Sequence, residues 1–161
     1  MGADPYTVPL NLPVANLSLR KDTSGNLEVY DPLRMRWVAF TPEERVRQHF
    51  VNFLVKSLKF PEGRLGNEIS LKLNDTARRC DTVVYDDKGS PCAIIEYKAP
   101  NVPVTRAVFE QIMRYALVLE TPWLIVSNGL RHFCAQVVAD PYPSLRFSRL
   151  LPGYDEISAK K

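Results

Sequence analysis

Two apolar runs joined by a turn constrain this chain more than any other feature. Residues 80–85 read CDTVVY and residues 92–97 read CAIIEY, with Asp86-Asp87-Lys88-Gly89 among the residues between them. Turn-forming residues between two such runs predict a β-hairpin. Both strands are apolar on both faces, so each needs a covering layer on either side. On the second strand Ile94, Glu96 and Lys98 share one face and Ala93, Ile95 and Tyr97 the other. On the first, Asp81, Val83 and Tyr85 alternate with Thr82 and Val84. Asp81, Glu96 and Lys98 can then meet across the pair. Two carboxylates and an amine are poor core material, and such a break in pattern is where functional sites tend to lie.

The rest of the chain supplies the covering layers. Residues 1–16 contain Pro5, Pro9 and Pro13 without a period, which predicts an extended arm laid on the surface. LSLRK and LEVYD flank Asp22-Thr23-Ser24-Gly25-Asn26 as a second hairpin, and WVAF adds a short strand. A helix starts at Thr41-Pro42-Glu43-Glu44: Thr41 caps it, Pro42 suits the first helical position and Glu44 completes a capping box. It continues to about Lys59 with Val46, Phe50, Phe53, Leu54 and Leu58 on one stripe, and Pro61-Glu62-Gly63 ends it. Strands follow over residues 68–73, 80–85 and 92–97. A second helix over 104–120 turns Val108, Ile112, Tyr115, Ala116 and Leu119 inward. WLIVS and RHFCAQVVA, separated by Asn128-Gly129, are two more strands. The tail from Asp140 carries Pro141, Pro143 and Pro152, ends in Lys160-Lys161 and reads as peripheral. The organisation is an arm and hairpin (1–40) packed on a core (41–139), then a tail (140–161). Helix, three strands, helix and two strands predict an α/β domain with a mixed central sheet flanked by helices.

Composition sets looser bounds. A chain of 161 residues suits one domain, and 45% hydrophobic with 24% charged residues is ordinary for a globular protein. A net charge of +3 permits contact with a polyanion without arguing for it. Placement says more, because Arg78, Arg79, Lys98, Arg106 and Arg114 all fall in or near the suspected site. Cys80, Cys92 and Cys134 lack metal-type spacing and read as reduced thiols of a cytoplasmic protein. No apolar run approaches the roughly 20 residues that span a bilayer, and the N-terminus has no secretory pattern.

The chemistry open to Asp81, Glu96 and Lys98 is metal-assisted. Mg²⁺ is usually held by one or two carboxylates, with water and phosphate oxygens completing its shell. Asp81 and Glu96 supply that pair, and the Tyr97 carbonyl is a third oxygen. Lys98 can orient the attacking water or stabilise pentavalent phosphorus. The competing reading is a salt-bridged strand end. Glu43 lies three, seven and eleven residues before Val46, Phe50 and Leu54, which puts it on the buried stripe with a route to the metal end. Favourable interaction with the helix N-terminus explains it equally. Gln111 and Tyr115 are neighbours on one face of the second helix. A buried amide there needs a partner, since an unpaired one costs about 1–3 kcal/mol; a half-exposed face needs none. His49 and His132 have no convergent ligands and read as structural, and Ser127 and Ser144 lack the Gly-x-Ser-x-Gly setting of a hydrolase elbow.

Together these elements resemble the PD-(D/E)xK nuclease superfamily, and more narrowly the N-terminal nuclease domain of type I restriction enzyme R subunits. The resemblance spans residues 41–138 and rests on TPEERVRQHF, RRCDTVVYD, AIIEYKAP and QIMRY. It implies a restriction-endonuclease-like core in which Asp81, Glu96 and Lys98 bind the metal and assist hydrolysis. It also implies a helix acid at Glu43, with Glu44 the one-residue alternative, and a glutamine–tyrosine pair at Gln111 and Tyr115. Cys80 stands where the superfamily name has proline. The implied activity is Mg²⁺-dependent hydrolysis of DNA phosphodiester bonds, with Mn²⁺ able to substitute. On their placement Arg78, Arg79 and Arg106, with Tyr115, would contact the nucleic acid, and solvated surface charge explains the arginines equally. Such R subunits carry a motor after the nuclease domain. No GxxxxGK[ST] loop occurs in these 161 residues, so the expectation is a free-standing domain, or one working with a separate motor or specificity subunit or as a homodimer. Two other classes remain at this point: a catalytically silent nucleic-acid-binding or assembly module, and a metal-free structural protein whose acids pair with its arginines.

Overall fold

The computed structural model describes residues 2–159. Strands β1 (Leu19–Lys21), β2 (Leu27–Asp31) and β3 (Arg36–Ala39) form an antiparallel sheet in that order, WVAF supplying the third strand. The Asp22 carboxylate closes the first turn by accepting the Ser24 and Asn26 N–H groups. Then come helix α1 (Pro42–Asn52), strands β4 (Leu65–Leu73), β5 (Thr76–Tyr85) and β6 (Pro91–Tyr97), helix α2 (Arg106–Val118), and strands β7 (Trp123–Ser127) and β8 (His132–Val138). A ninth strand, β9 (Ser144–Ser148), and a short helix, α3 (Tyr154–Ser158), complete the chain. The large sheet runs β4-β5-β6-β7-β8-β9, antiparallel except between β6 and β7. This is the mixed α/β architecture that the element order predicts, compatible with a restriction-endonuclease-like core.

The two sides of the sheet are covered as β6 requires. Ala93, Ile95 and Tyr97 pack with Val46, Phe50 and Leu54 of α1. Ile94 packs with Val83, Cys80 and Ala116, the last on α2. Phe109 and Ile112 of α2 close over Leu124 and Val126 of β7. Each fully buried aliphatic side chain contributes about 1.5–3 kcal/mol. Thr41 caps α1 as its sequence predicts, its hydroxyl accepting the Glu44 N–H at 3.0 Å. The reciprocal half of the capping box does not form, because the Glu44 carboxylate is taken by Arg34, Arg47 and Gln48. The helix continues past Asn52 as a π-helical turn, Phe53–Ser57.

One departure from strand regularity shapes the site. Leu65 and Val84 face α1, as do the paired Asn67 and Thr82. Two residues further from the strand end, Ile69 and Cys80 face the other side, as does Leu71. Both strands therefore change face between these pairs, at Glu68 and Asp81, while their register is kept. Glu68 absorbs the change with φ 55°, a left-handed conformation that is strained for a non-glycine residue. Strict alternation from Val83 sends Arg79 to the α2 side; the slip sends Arg78 there instead. The slip also folds Ile69 onto Gly66, where an added Cβ would lie 2.8 Å from Ile69 Cγ1.

The arm lies on the surface as expected. Arg45 of α1 donates to the carbonyls of Pro5 and Val8, and the Asn11 N–H donates to the Gly129 carbonyl at 2.8 Å. Gly129 sits at φ 84° with Leu10 against it, leaving no room for a Cβ. The tail is not peripheral. Its β9 pairs with β8 along its length, Tyr154 donates to the Tyr85 carbonyl at 2.9 Å, and Ile157 is fully buried beside the α1-side core. Its apolar residues are too sparse between the prolines to show a period, and the contacts are non-local. Lys160 and Lys161 lie outside the described residues. All three cysteines are free and buried, and no described helix is long and apolar enough to cross a membrane.

Because Ile157 fills the core from the tail, Ile157→Ala is expected to destabilise the protein by about 2–5 kcal/mol. Urea unfolding followed by circular dichroism measures this; a loss below about 0.5 kcal/mol contradicts the placement of the tail.

Candidate active site

The site forms where β5 and β6 part. Their last paired residues are Thr82 and Ile95. Beyond that point the Tyr97 N–H donates to the Asp81 carboxylate at 2.9 Å, so a side chain stands where a strand backbone would. On the other edge of β6 the Lys98 N–H still reaches β7, donating to the Ser127 carbonyl at 2.9 Å. The end of β6 is thus held on both sides, and it carries Glu96 and Lys98 into the opening. The Asp81 carboxyl is an electrostatic neighbour of the Glu96 carboxyl. Burial first, and the Asp81 charge second, hold the Glu96 carboxyl well above the usual carboxylate range. Arg78 and Lys98 act in the opposite sense. Arg78 Nη2 lies 3.4 Å from Glu96 Oε1, and its guanidinium carbon stands 4.1 Å from the centre of the Tyr115 ring. The Lys98 ammonium, half-buried, makes no hydrogen bond or ion pair among the described residues.

Behind these groups runs a buried polar network. Arg47 of α1 donates to the Asp81 carbonyl at 2.7 Å, to Glu68 Oε1 at 2.7 Å and to Glu44 Oε2 at 3.1 Å. The other Glu44 oxygen accepts from Arg34 at 2.6 Å and from Gln48 at 2.9 Å. Arg34 pairs with Asp31, which is fully buried and also accepts from Asn67 at 3.0 Å. Thr82 closes the chain of contacts, donating to Asn67 Oδ1 at 2.7 Å and lying 2.9 Å from the Tyr97 hydroxyl. The N-terminal sheet is tied by these contacts to the strand that carries Asp81. Among the described residues no buried side-chain polar atom lacks a partner. Burial tends to raise the Asp31 and Glu68 pKa values, but Asn67 with Arg34, and Arg47 with Arg79, outweigh it and hold both carboxyls low.

The structure brings Asp81, Glu96, Tyr97, Lys98, Arg78 and Tyr115 together. It leaves others outside. Glu43 is exposed rather than inward. What covers the first turn of α1 is Arg34 of the N-terminal sheet, which lies on the Glu44 side, so Glu44 is the buried helix acid. Gln111 is exposed and makes no hydrogen bond among the described residues. Arg79 reaches Glu68 at 2.5 Å and Arg106 reaches Glu110 at 2.9 Å, so neither points freely at the opening. Sequence reasoning held Glu44 only as the alternative helix acid, and it missed Arg47, Glu68, Asp31 and Arg34 as site supports. The spacing of Glu44, Arg47 and Gln48 places them on one helix face, but nothing local says that this face is buried.

The histidines have structural partners. Both ring nitrogens of His132 are engaged, with Ser127 Oγ at 2.7 Å and the Asn11 carbonyl at 2.8 Å. His49 contacts the Arg45 carbonyl, and burial pulls its pKa down. Burial pushes the Cys80 thiol up to about 12, in keeping with an inert core residue. Among the described residues no group of three His, Cys, Asp or Glu side chains is placed to hold a metal. The donors that the site offers are the Asp81 and Glu96 carboxylates and main-chain carbonyls. Compared with known families, residues 42–150 match the family described as type I restriction enzyme R protein N terminus. No curated protein matches the chain.

The network sets a pH dependence. Asp31 and Glu68 bind protons more weakly in the folded chain than their ordinary values of 3.8 and 4.5 allow. The stability they confer is therefore fully present above about pH 5 and drains away as pH falls through the lower folded values. Urea unfolding at stepped pH is expected to show this fall, and Asp31→Asn to flatten part of it. Arg47→Met is expected to cost about 3–5 kcal/mol, because it leaves buried carboxylates unpaired. An Arg47→Met loss under 1 kcal/mol contradicts the network.

Proposed function

The chain belongs to the family of type I restriction enzyme R protein N-terminal domains, and on that premise we propose that it is a Mg²⁺-dependent nuclease hydrolysing DNA phosphodiester bonds. The observation that carries this reading is the pair of neighbouring carboxyls, Asp81 and Glu96, beside Lys98 at the point where β5 and β6 separate and the Asp81 carboxylate holds the Tyr97 N–H. Two carboxyls forced together, one held above its usual range by burial and by the other's charge, suit a divalent cation better than they suit each other. Asp81, Glu96 and the Tyr97 carbonyl would hold Mg²⁺ or Mn²⁺. When bound, the ion supplies positive charge at the phosphate and polarises water.

The chain's own residues do the rest. Asp81 fixes the end of β6 through the Tyr97 N–H, so that Glu96 and Lys98 point into the opening together. Lys98 has an uncommitted ammonium, which orients the attacking water or stabilises charge on pentavalent phosphorus. Glu44 takes the helix-acid place in this reading and acts through Arg47, which holds the Asp81 carbonyl. Three free buried thiols favour a cytoplasmic setting. The family's R-protein context makes DNA and the other subunits of a restriction complex the natural partners.

The competing function is a catalytically silent nucleic-acid-binding or assembly module on the same fold. Supercoiled plasmid incubated with Mg²⁺ or Mn²⁺ separates the two. Wild type is expected to nick it, and Asp81→Asn and Lys98→Ala to slow nicking by about 10²-fold or more. If wild type cleaves neither duplex, single-stranded nor branched DNA, the silent module is the better reading.

A further inference from the structure

The three arginines expected to contact nucleic acid, Arg78, Arg79 and Arg106, have different surroundings. Arg79 and Arg106 are committed to carboxylates, Glu68 and Glu110, and are largely exposed. Arg78 is different. Its side chain is 25% exposed, and its only partners among the described residues are Glu96, at a long 3.4 Å, and the face of Tyr115 at 4.1 Å. A guanidinium has five N–H donors in a planar fork, so most of its donors are uncommitted. The Tyr115 hydroxyl makes no hydrogen bond among the described residues. What Tyr115 offers is its ring face, a cation–π platform. The face change at Glu68 and Asp81 is what delivers Arg78, rather than Arg79, to that platform.

We propose that Arg78 is the phosphate clamp of this site, gripping a non-bridging oxygen of a nucleic-acid phosphodiester while the Tyr115 ring holds its guanidinium beside Glu96. Tyr115 is then a positioning residue that acts through Arg78 and does not itself bind nucleic acid. This rests on the nuclease reading for its substrate, but the contact is one of binding and is measurable without cleavage.

The test measures binding of a fluorescent duplex oligonucleotide to the full chain across a salt series in EDTA, together with kcat and KM in Mg²⁺. Arg78→Ala is expected to weaken binding and to reduce the log–log salt slope by about one. Tyr115→Leu is expected to weaken binding in the same direction, and Tyr115→Phe to restore it, since the ring face survives. Adding Tyr115→Leu to Arg78→Ala is expected to cost nothing further. Arg78→Lys keeps the salt slope, since it keeps the charge, a readout that a folding defect does not produce. The clamp is overturned if Tyr115→Phe is as weak as Tyr115→Leu, if the two losses add, or if wild type binds no nucleic acid. A wild type that binds with this coupling but never cleaves sinks the nuclease reading and leaves the clamp. One that cleaves with Arg78→Ala unimpaired does the reverse.

Discussion

The site depends on one buried guanidinium. Arg47 projects from α1 and spends its donors on Glu44, on Glu68 and on the Asp81 carbonyl. Glu68 and Asp81 are the positions at which β4 and β5 change face, and Glu68 is held there in a left-handed conformation. A strained residue in mid-strand persists only when its surroundings over-determine it. Two arginines on the Glu68 carboxylate, Arg47 and Arg79, are those surroundings. Removing Arg47 would therefore release the strain as well as the charge, and Asp81 would lose its anchor from behind.

The face change explains an arrangement that regular strands would not give. It leaves Val83 against α2 and Thr82 against Tyr97, yet brings Cys80 and Arg78 back to the α2 side. The carboxylates are thus approached by Lys98 along β6 and by Arg78 from β5. The N-terminal sheet belongs to the same scaffold. Asp31 and Arg34 reach into the network from β2 and the turn that follows it, so the sheet stands as a buttress to the site.

Much of this was legible in the sequence, and the exceptions share a cause. The order of helices and strands follows from periodicity and turn residues, and the Asp81–Lys98 grouping from acids placed where a buried strand should be apolar. Glu43 went astray because a helix stripe gives azimuth, not what covers each turn; the N-terminal sheet covers the Glu44 side. The face that Arg78 takes was not legible, because strand alternation assumes a regular backbone and no residue type announces a left-handed glutamate. The tail hides its role because Ile157 meets its partners far away in sequence. Each miss is a non-local contact overriding a local pattern.

The central claim is that Asp81 and Glu96 form one divalent-cation site. The most direct measurement is anomalous diffraction from crystals soaked in Mn²⁺. A Mn²⁺ peak beside the Asp81 and Glu96 carboxylates is expected in wild type, and its loss in Glu96→Gln. A peak that survives Glu96→Gln, or Mn²⁺ found only elsewhere on the molecule, would contradict it.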